Sequence, residues 1–340
     1  MAHEKIVKGM LSSKNWMNIY RGCTHGCIYC DARSKCYNMQ HDFEDIEIKV
    51  NASEVLEEKL KKKRNKCMIK TGAMSDPYIH LEEKLLQTRK CLEIISKYGF
   101  GVSVQTKSSR ILRDIDLLKE INEKSKCVVE ITITTYDDEL CKILEPAVST
   151  SSERFEVLQK LKDAGIPTIV WLSPILPFIN DTEENITRIV EKCSEIGVHG
   201  MMFFNAGVTM REGNREYFYE KLDKYFPNLK EKYHKAYGNN YILKSPNNNK
   251  LSDLFYKLCK EKNMMCNSEE IFKYLSEFPS DPSSLVKLVD EEGPEEEQLK
   301  LFWGSNLFQL KARKWNLKSL LFSFYEILKT IYLQIVKNMV

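Results

Sequence analysis

Residues 16–30, WMNIYRGCTHGCIYC, decide the fold. The first five, WMNIY, are aromatic and β-prone and read as a short strand. The next ten carry Cys23, Cys27 and Cys30 in the spacing C-x3-C-x2-C. Three thiolates on one loop directly after a strand can wrap a compact metal site. Thiolates select soft metals, chiefly zinc and iron–sulfur clusters. Structural zinc wants four ligands, commonly in C-x2-C pairs, and no second such pair occurs here; His25 and Cys36 are the residues that would complete a zinc site. A [4Fe-4S] cluster held by three cysteines leaves one iron open, and an open iron binds a chelating substrate. Gly22 and Gly26 let the loop bend tightly and turn backbone N–H groups toward the sulfides.

Outward from this loop, five further β-rich runs recur: CMIKTG from Cys67, GVSVQT from Gly101, VVEITIT from Val128, TIVWLS from Thr168 and MMFFN from Met201. Several are nearly all apolar, as in a parallel sheet buried on both faces. Helical spacing fills the gaps. Leu85, Thr88, Leu92 and Ile95 share one face; Ile111, Ile115 and Leu118 share another; Ile186, Ile189, Val190, Cys193 and Ile196 form a third. Thr150 with Glu153, and Asp181 with Glu184, have the spacing of N-terminal caps. Gly165 and Gly197 sit where helices should stop. Six βα units predict an α/β fold, a partial parallel (β/α)6 barrel rather than a doubly wound sheet, because a full eight-unit barrel needs about 250 residues.

The chain has 340 residues, 43% of them apolar, and a net charge of +3 from 51 basic and 48 acidic residues. That composition is globular and excludes a disordered chain or a globally basic nucleic-acid binder. Residues 1–15 hold no apolar leader core, so the eleven cysteines are expected to be reduced thiols or metal ligands in a cytoplasmic protein. The expected organisation is an N-terminal extension (1–15), the barrel (16–210), a helical C-terminal region (211–280), an acidic flexible linker (281–302) and a basic, apolar tail helix (303–340). Residues 320–336 are apolar at 12 of 17 positions, which is short for a membrane span, so no transmembrane span is expected.

In barrels the chemistry sits on the loops after the strands. Those loops here contain Gly72-Ala73-Met74-Ser75-Asp76-Pro77-Tyr78, Gln105-Thr106-Lys107-Ser108, Thr134-Thr135, Ser173-Pro174 and Asn205-Ala206-Gly207. They should converge on the cysteine loop. Asp76-Pro77 also reads as a turn former and Ser108 as a helix cap.

The pattern C-x3-C-x-aromatic-C after a first barrel strand resembles the radical S-adenosylmethionine (SAM) superfamily, with Cys23, Cys27, Tyr29 and Cys30 in the matching positions. The resemblance implies that the three cysteines hold a [4Fe-4S] cluster whose open iron chelates SAM. An electron from the cluster then cleaves SAM to methionine and a 5′-deoxyadenosyl radical that abstracts a substrate hydrogen. Lys107 is the expected partner of the SAM carboxylate. Ser75 and Asp76 are expected at its amino end, Thr132 or Thr134 at the ribose, and Tyr29 beside the cluster or the adenine. An electron donor such as flavodoxin or ferredoxin is implied.

Four stretches, YRGCTHGCIYCDARS, GAMSDPY, QTKSSRILRDIDLL and SPILPFINDTEEN, resemble one group within that superfamily, the spore photoproduct lyase family, from about residue 18 to about residue 275. Family lyases reverse a thymine dimer in ultraviolet-damaged spore DNA, which makes DNA the expected partner. The Ser and Lys that contact SAM there fall on Ser75 and Lys107. Two departures stand out. The cysteine that returns the hydrogen atom in the lyases falls on Ala73, and the Tyr after the last cluster cysteine is Asp31. The hydrogen donor is therefore unassigned, with Cys36, Cys67 and Cys91 nearby in sequence. The rival expectations are a radical SAM enzyme acting on RNA, a peptide or a metabolite, and a non-enzymatic iron–sulfur or zinc protein that binds nucleic acid.

Two more features bear on partners. The run KLKKKRNK at 59–66 could meet phosphates, but it ends a helix that begins with Glu54, Glu57 and Glu58, so a solvated face at the negative end of the helix dipole is expected. Gln298, Leu299, Leu301 and Phe302 resemble the short peptide by which bacterial repair proteins dock on the sliding clamp.

Overall fold

The computed structural model describes residues 2–279. The acidic linker, the clamp-like peptide and the tail lie outside the described residues.

The chain begins with β1 (Ala2–Lys5), β2 (Trp16–Met17) and β3 (Tyr20–Arg21), and after the cysteine loop come β4 (Ile46–Lys49) and α1 (Ala52–Lys62). Next are β5 (Met68–Thr71), α2 (Glu82–Leu85), α3 (Gln87–Lys97), β6 (Gly101–Thr106), α4 (Ile115–Lys124) and β7 (Cys127–Thr132). Then follow α5 (Asp138–Leu144), α6 (Ser151–Asp163), β8 (Thr168–Trp171), α7 (Glu183–Ile196), β9 (Gly200–Met202) and β10 (Gly207–Thr209). The described chain closes with α8 (Asn214–Tyr225), α9 (Leu229–Tyr237), β11 (Ile242–Lys244), α10 (Asn248–Glu261) and α11 (Ser268–Ser276).

Six strands form one parallel sheet in the order β2-β5-β6-β7-β8-β9. Each strand of this sheet lies beside the sheet's next strand in chain order. A doubly wound sheet reverses its order at a switch point, and this sheet has none. It is the open wall of a partial barrel, built from the six expected runs. The first run is the exception in detail. Only Trp16 and Met17 join the wall; Tyr20 and Arg21 turn into a second sheet, β1-β4-β3. That sheet captures the N-terminal extension, since β1 pairs in parallel with β4, Ala2 opposite Ile46.

The wall has two unlike faces. Val102, Val104, Val129, Ile131, Val170 and Met201 meet Leu92, Leu118, Leu158 and Ile189 of the helices in one buried core. The alternate positions, Lys70, Ser103, Glu130, Thr132 and Trp171, are paired in register on the inner face. Strands apolar on both faces were expected. The inner face is instead mixed: Gln105 and Thr132 near the strand ends line a cavity, while Val128, Ile169 and Met202 are apolar and covered by α11.

Local signals place the helices. Thr150 and Glu153 form a reciprocal capping box at the start of α6. At α7 the cap is Thr182, whose side chain accepts from the Asn185 N–H; Asp181, one residue earlier, accepts instead from the Ser245 hydroxyl. Along α1, Ala52, Leu56 and Leu60 are buried while the lysines of its last turn point to solvent, and Lys61 pairs with Glu57 at 3.5 Å. The basic run is thus a solvated helix end.

The C-terminal helices do not stand apart from the barrel. Leu251, Phe255 and Cys259 of α10 join the main core, and the chain is one compact unit through Pro279. The Met201 N–H donates to the Met265 carbonyl at 2.8 Å, which covers the free edge of β9. From there α11 lays Ile271 and Leu275 over Val128, Ile169 and Met202 of the inner face. Among the described residues no helix is long and apolar enough to cross a membrane.

Candidate functional site

The cysteine loop is held from both sides. The Cys23 N–H donates to the Phe43 carbonyl at 3.2 Å, the Ile28 N–H to Leu144 at 2.9 Å, and the Ala147 N–H to His25 at 3.1 Å. Gly22 and Gly26 take φ values of +91° and +70°. At Gly22 a Cβ would fall 2.5 Å from the Phe43 carbonyl oxygen, so no larger residue fits.

The loop after β5 docks against it. Gly72 presses on β6 so closely that a Cβ would lie 1.9 Å from the Gln105 carbonyl oxygen. Ser75 donates its hydroxyl to the Gly22 carbonyl at 2.5 Å. Asp76 is a hub. Its Oδ1 accepts from the Tyr78 N–H at 2.8 Å and the Thr106 hydroxyl at 2.7 Å, and its Oδ2 accepts from the Lys107 N–H at 2.9 Å. Ser75 and Asp76 therefore tie three loops together before they meet any ligand. Ser108 caps the following turn by accepting from the Arg110 N–H.

His25 Nδ1 lies 3.4 Å from Asp76 Oδ2. Burial pushes the imidazole down to about 4, against the pull of Asp76. At neutral pH the ring is uncharged, so the contact is not an ion pair. Its Nε2 is buried without a partner.

Behind the loop sits a buried charge pair that the sequence does not announce. Tyr29 donates its hydroxyl to Glu145. Glu145 Oε2 lies 2.5 Å from Arg154 Nη2, and both side chains are essentially inaccessible. Arg154 Nη1 donates to the Thr132 carbonyl at 3.0 Å, which joins the cysteine loop to the end of β7. Burial would raise the Glu145 carboxyl, but Arg154 and Lys107 outweigh it and hold it below the usual carboxylate range. Lys107 stays charged. Burial opposes its ammonium, while Cys27 and Glu145 carry its pKa up. Its Nζ stands 6.0 Å above the Tyr29 ring.

Beside the cysteine loop opens a cavity of about 550 Å³. Cys23, Cys27, Cys30 and Tyr29 line one wall; Ser75, Asp76, Lys107 and Thr132 line another. Ala73 lies in the same wall. Thr134 is fully buried and is not on the cavity surface. Cys36, Cys67 and Cys91 also lie off it: Cys91 is in the core, Cys67 is half-buried, and Cys36 is exposed with Arg211 Nη1 3.2 Å from its sulfur.

The donor set fits a cluster better than zinc. Tetrahedral zinc with bonds of about 2.3 Å would hold its sulfurs about 3.8 Å apart. Among the described residues, three ligand atoms come within 4.8 Å of one another only at His3, His41 and Asp45; the cysteine triplet, His25 and Cys36 do not gather so tightly. A cluster spreads its thiolates over separate irons and needs no such closeness. Burial also pushes the Cys23 thiol up to about 12; a bound metal, with the Lys107 ammonium that lowers Cys27 and Cys30, would supply the positive charge that holds thiolates.

The radical SAM superfamily profile matches residues 17–193, just over half of the chain. An uncharacterized protein of Mycobacterium tuberculosis is 26% identical over 227 residues, which covers 65% of this chain and 66% of that protein. An uncharacterized protein of Methanocaldococcus jannaschii is 34% identical over 173 residues, covering 50% of this chain and 64% of that protein. The matches thus span slightly less than two thirds of these relatives. A solved structure of a spore photoproduct lyase variant with bound AdoMet and dinucleoside spore photoproduct has a TM-score of 0.55 at 14% identity, covering 73% of this chain and 74% of that one. At that identity the likeness is one of fold. The chain belongs to the radical SAM superfamily, whose cofactors are a [4Fe-4S] cluster and S-adenosylmethionine.

Proposed function

We propose that this protein cleaves SAM reductively and turns the resulting radical on damaged DNA, as a relative of the spore photoproduct lyases. The observation that carries the reading is the single cavity that joins the cysteine triplet to Lys107. When bound, the cluster supplies the electron for SAM cleavage. The chain's own residues bind and orient. Lys107 offers a fixed cation to the SAM carboxylate. Thr132, with its backbone carbonyl held by Arg154, faces the cavity for a ribose hydroxyl. Tyr29, clamped by Glu145, closes the wall behind the cysteines. A flavodoxin or ferredoxin would deliver the electron.

Ala73 on the cavity wall favours a second reading. Its methyl group cannot return a hydrogen atom as a thiol does, so a superfamily member with a different substrate, such as RNA, a peptide or a metabolite, is the alternative. The test is to incubate the reconstituted protein with SAM, dithionite and ultraviolet-irradiated DNA, then digest the DNA and quantify thymine lesions by mass spectrometry. Loss of a lesion in step with 5′-deoxyadenosine formation supports the repair reading. Undiminished lesions alongside active SAM cleavage would replace it with the alternative.

A further inference from the structure

Three aromatic rings meet beside the cavity on the inner face of the wall. Trp171 ends β8, Phe204 follows β9 on the same face, and Phe272 reaches in from α11. Ring centroids lie 5.7 Å apart for Trp171–Phe204, 6.1 Å for the stacked pair Phe204–Phe272, and 6.3 Å for Trp171–Phe272. Phe204 is part of the cavity wall, yet Phe204 and Phe272 are 48% and 42% exposed. Ile242, also on the cavity wall, is 54% exposed. One exposed aromatic is ordinary; a contiguous apolar ledge running into a reactive cavity marks a binding surface.

Trp171 anchors the ledge. The Trp171 indole donates its Nε1–H to Glu130 at 2.6 Å. Glu130 is itself buried and accepts from the Ser103 hydroxyl. Two cations lie on neighbouring elements. Lys70 donates to the Ser276 hydroxyl at 2.6 Å, one turn along α11 from Phe272. Arg211 donates to the hydroxyl of the exposed Tyr241 at 2.5 Å, next to Ile242 of the cavity wall, with Asp31 3.7 Å from its Nε. Clustered flat rings at the mouth of a cavity, with Lys70 and Arg211 on neighbouring elements, suit a planar base carried on a phosphodiester; an aliphatic ligand would need no stacking surface.

We propose that the Trp171–Phe204–Phe272 ledge is a stacking subsite for an unpaired nucleobase of the substrate strand, placed so that the adjoining nucleotide reaches the cavity. The proposal rests on the nucleic-acid reading of the function and adds that the strand is engaged single-stranded or locally opened. The test uses the cluster-loaded full chain under anaerobic conditions. Fluorescence anisotropy is measured with a labelled thymidine octanucleotide and with an abasic phosphodiester of equal length. The base-bearing strand should bind at least tenfold tighter. Phe272→Leu and Phe204→Leu should each weaken it by roughly tenfold and leave the abasic affinity unchanged, while Phe272→Tyr should bind like the parent. Circular dichroism and iron content verify that each variant is folded. Equal affinity for the two strands, no binding of the octanucleotide, or an unaffected Phe272→Leu overturns the subsite. 5′-Deoxyadenosine formation is read in the same preparations. If it forms while the octanucleotide does not bind, the subsite falls and the superfamily chemistry stands; if base-dependent binding persists without it, the catalytic reading falls instead.

Discussion

Replacing Arg154 with Met tests how the cysteine loop is held. Arg154 and Glu145 are both essentially inaccessible and 2.5 Å apart. At that separation and an effective dielectric of about 20, the gross attraction is about 7 kcal/mol. Desolvation of two ions cancels much of it, so the pair as a whole adds little. Removing one partner is different, because it leaves Glu145 charged, buried and uncompensated, with a net cost of about 3–5 kcal/mol. In a chain of this size that lowers Tm by roughly 4–9 °C. The double variant Glu145→Gln/Arg154→Met removes both charges, and the new amide still accepts the Tyr29 hydroxyl. It should recover to within about 2 kcal/mol of the parent. The assay is thermal unfolding of the reconstituted chain by circular dichroism. The reasoning fails if Arg154→Met lies within about 1 kcal/mol of the parent, or if the double variant is no better than the single one.

The same pair predicts a pH dependence. The folded Glu145 carboxyl lies below the usual carboxylate range, so its contribution is complete above the unfolded value of about 4.3 and is lost as pH falls through the folded value; the parent should therefore lose more stability than the double variant on acidification below about pH 5, as read by thermal unfolding across a pH series. Gly72→Ala puts a methyl group 1.9 Å from the Gln105 carbonyl oxygen, and because backbone must move, at least about 3 kcal/mol of stability and most of the bound iron should be lost, measured by unfolding and iron analysis. Asp76→Ala strands the Thr106 hydroxyl and the Lys107 N–H; it should cost about 3 kcal/mol or more and weaken SAM binding, with Asp76→Asn intermediate in a calorimetric titration.

The wall of the barrel was legible because its strands are short runs of β-branched and aromatic residues broken by helical spacing, and the triplet because three cysteines in eight residues have few other uses. Ser75, Asp76, Lys107 and Thr132 could be drawn from the loops after the strands, since a barrel sends those loops to one end. What stayed hidden depended on tertiary partners. β1 is polar and largely exposed, AHEK, and becomes a strand only because β4 lies beside it. Glu145 and Arg154 gave no signal, because a sequence shows a charge and not its burial. The hub role of Asp76 arises from its four neighbours in space, where the sequence offered a turn and a candidate SAM contact. Asp181 was one residue from the true cap, Thr182, because both residue types cap helices and only the backbone separates them.

The central claim is that Cys23, Cys27 and Cys30 hold a cluster that cleaves SAM. The most direct test is anaerobic reconstitution followed by iron and sulfide analysis, then addition of dithionite and SAM with chromatography for 5′-deoxyadenosine, beside a Cys30→Ala control. The account predicts about four irons and four sulfides per chain, 5′-deoxyadenosine from the intact triplet, and neither cluster nor product from the variant. Zinc in place of iron, or 5′-deoxyadenosine formed equally by the variant, would contradict it.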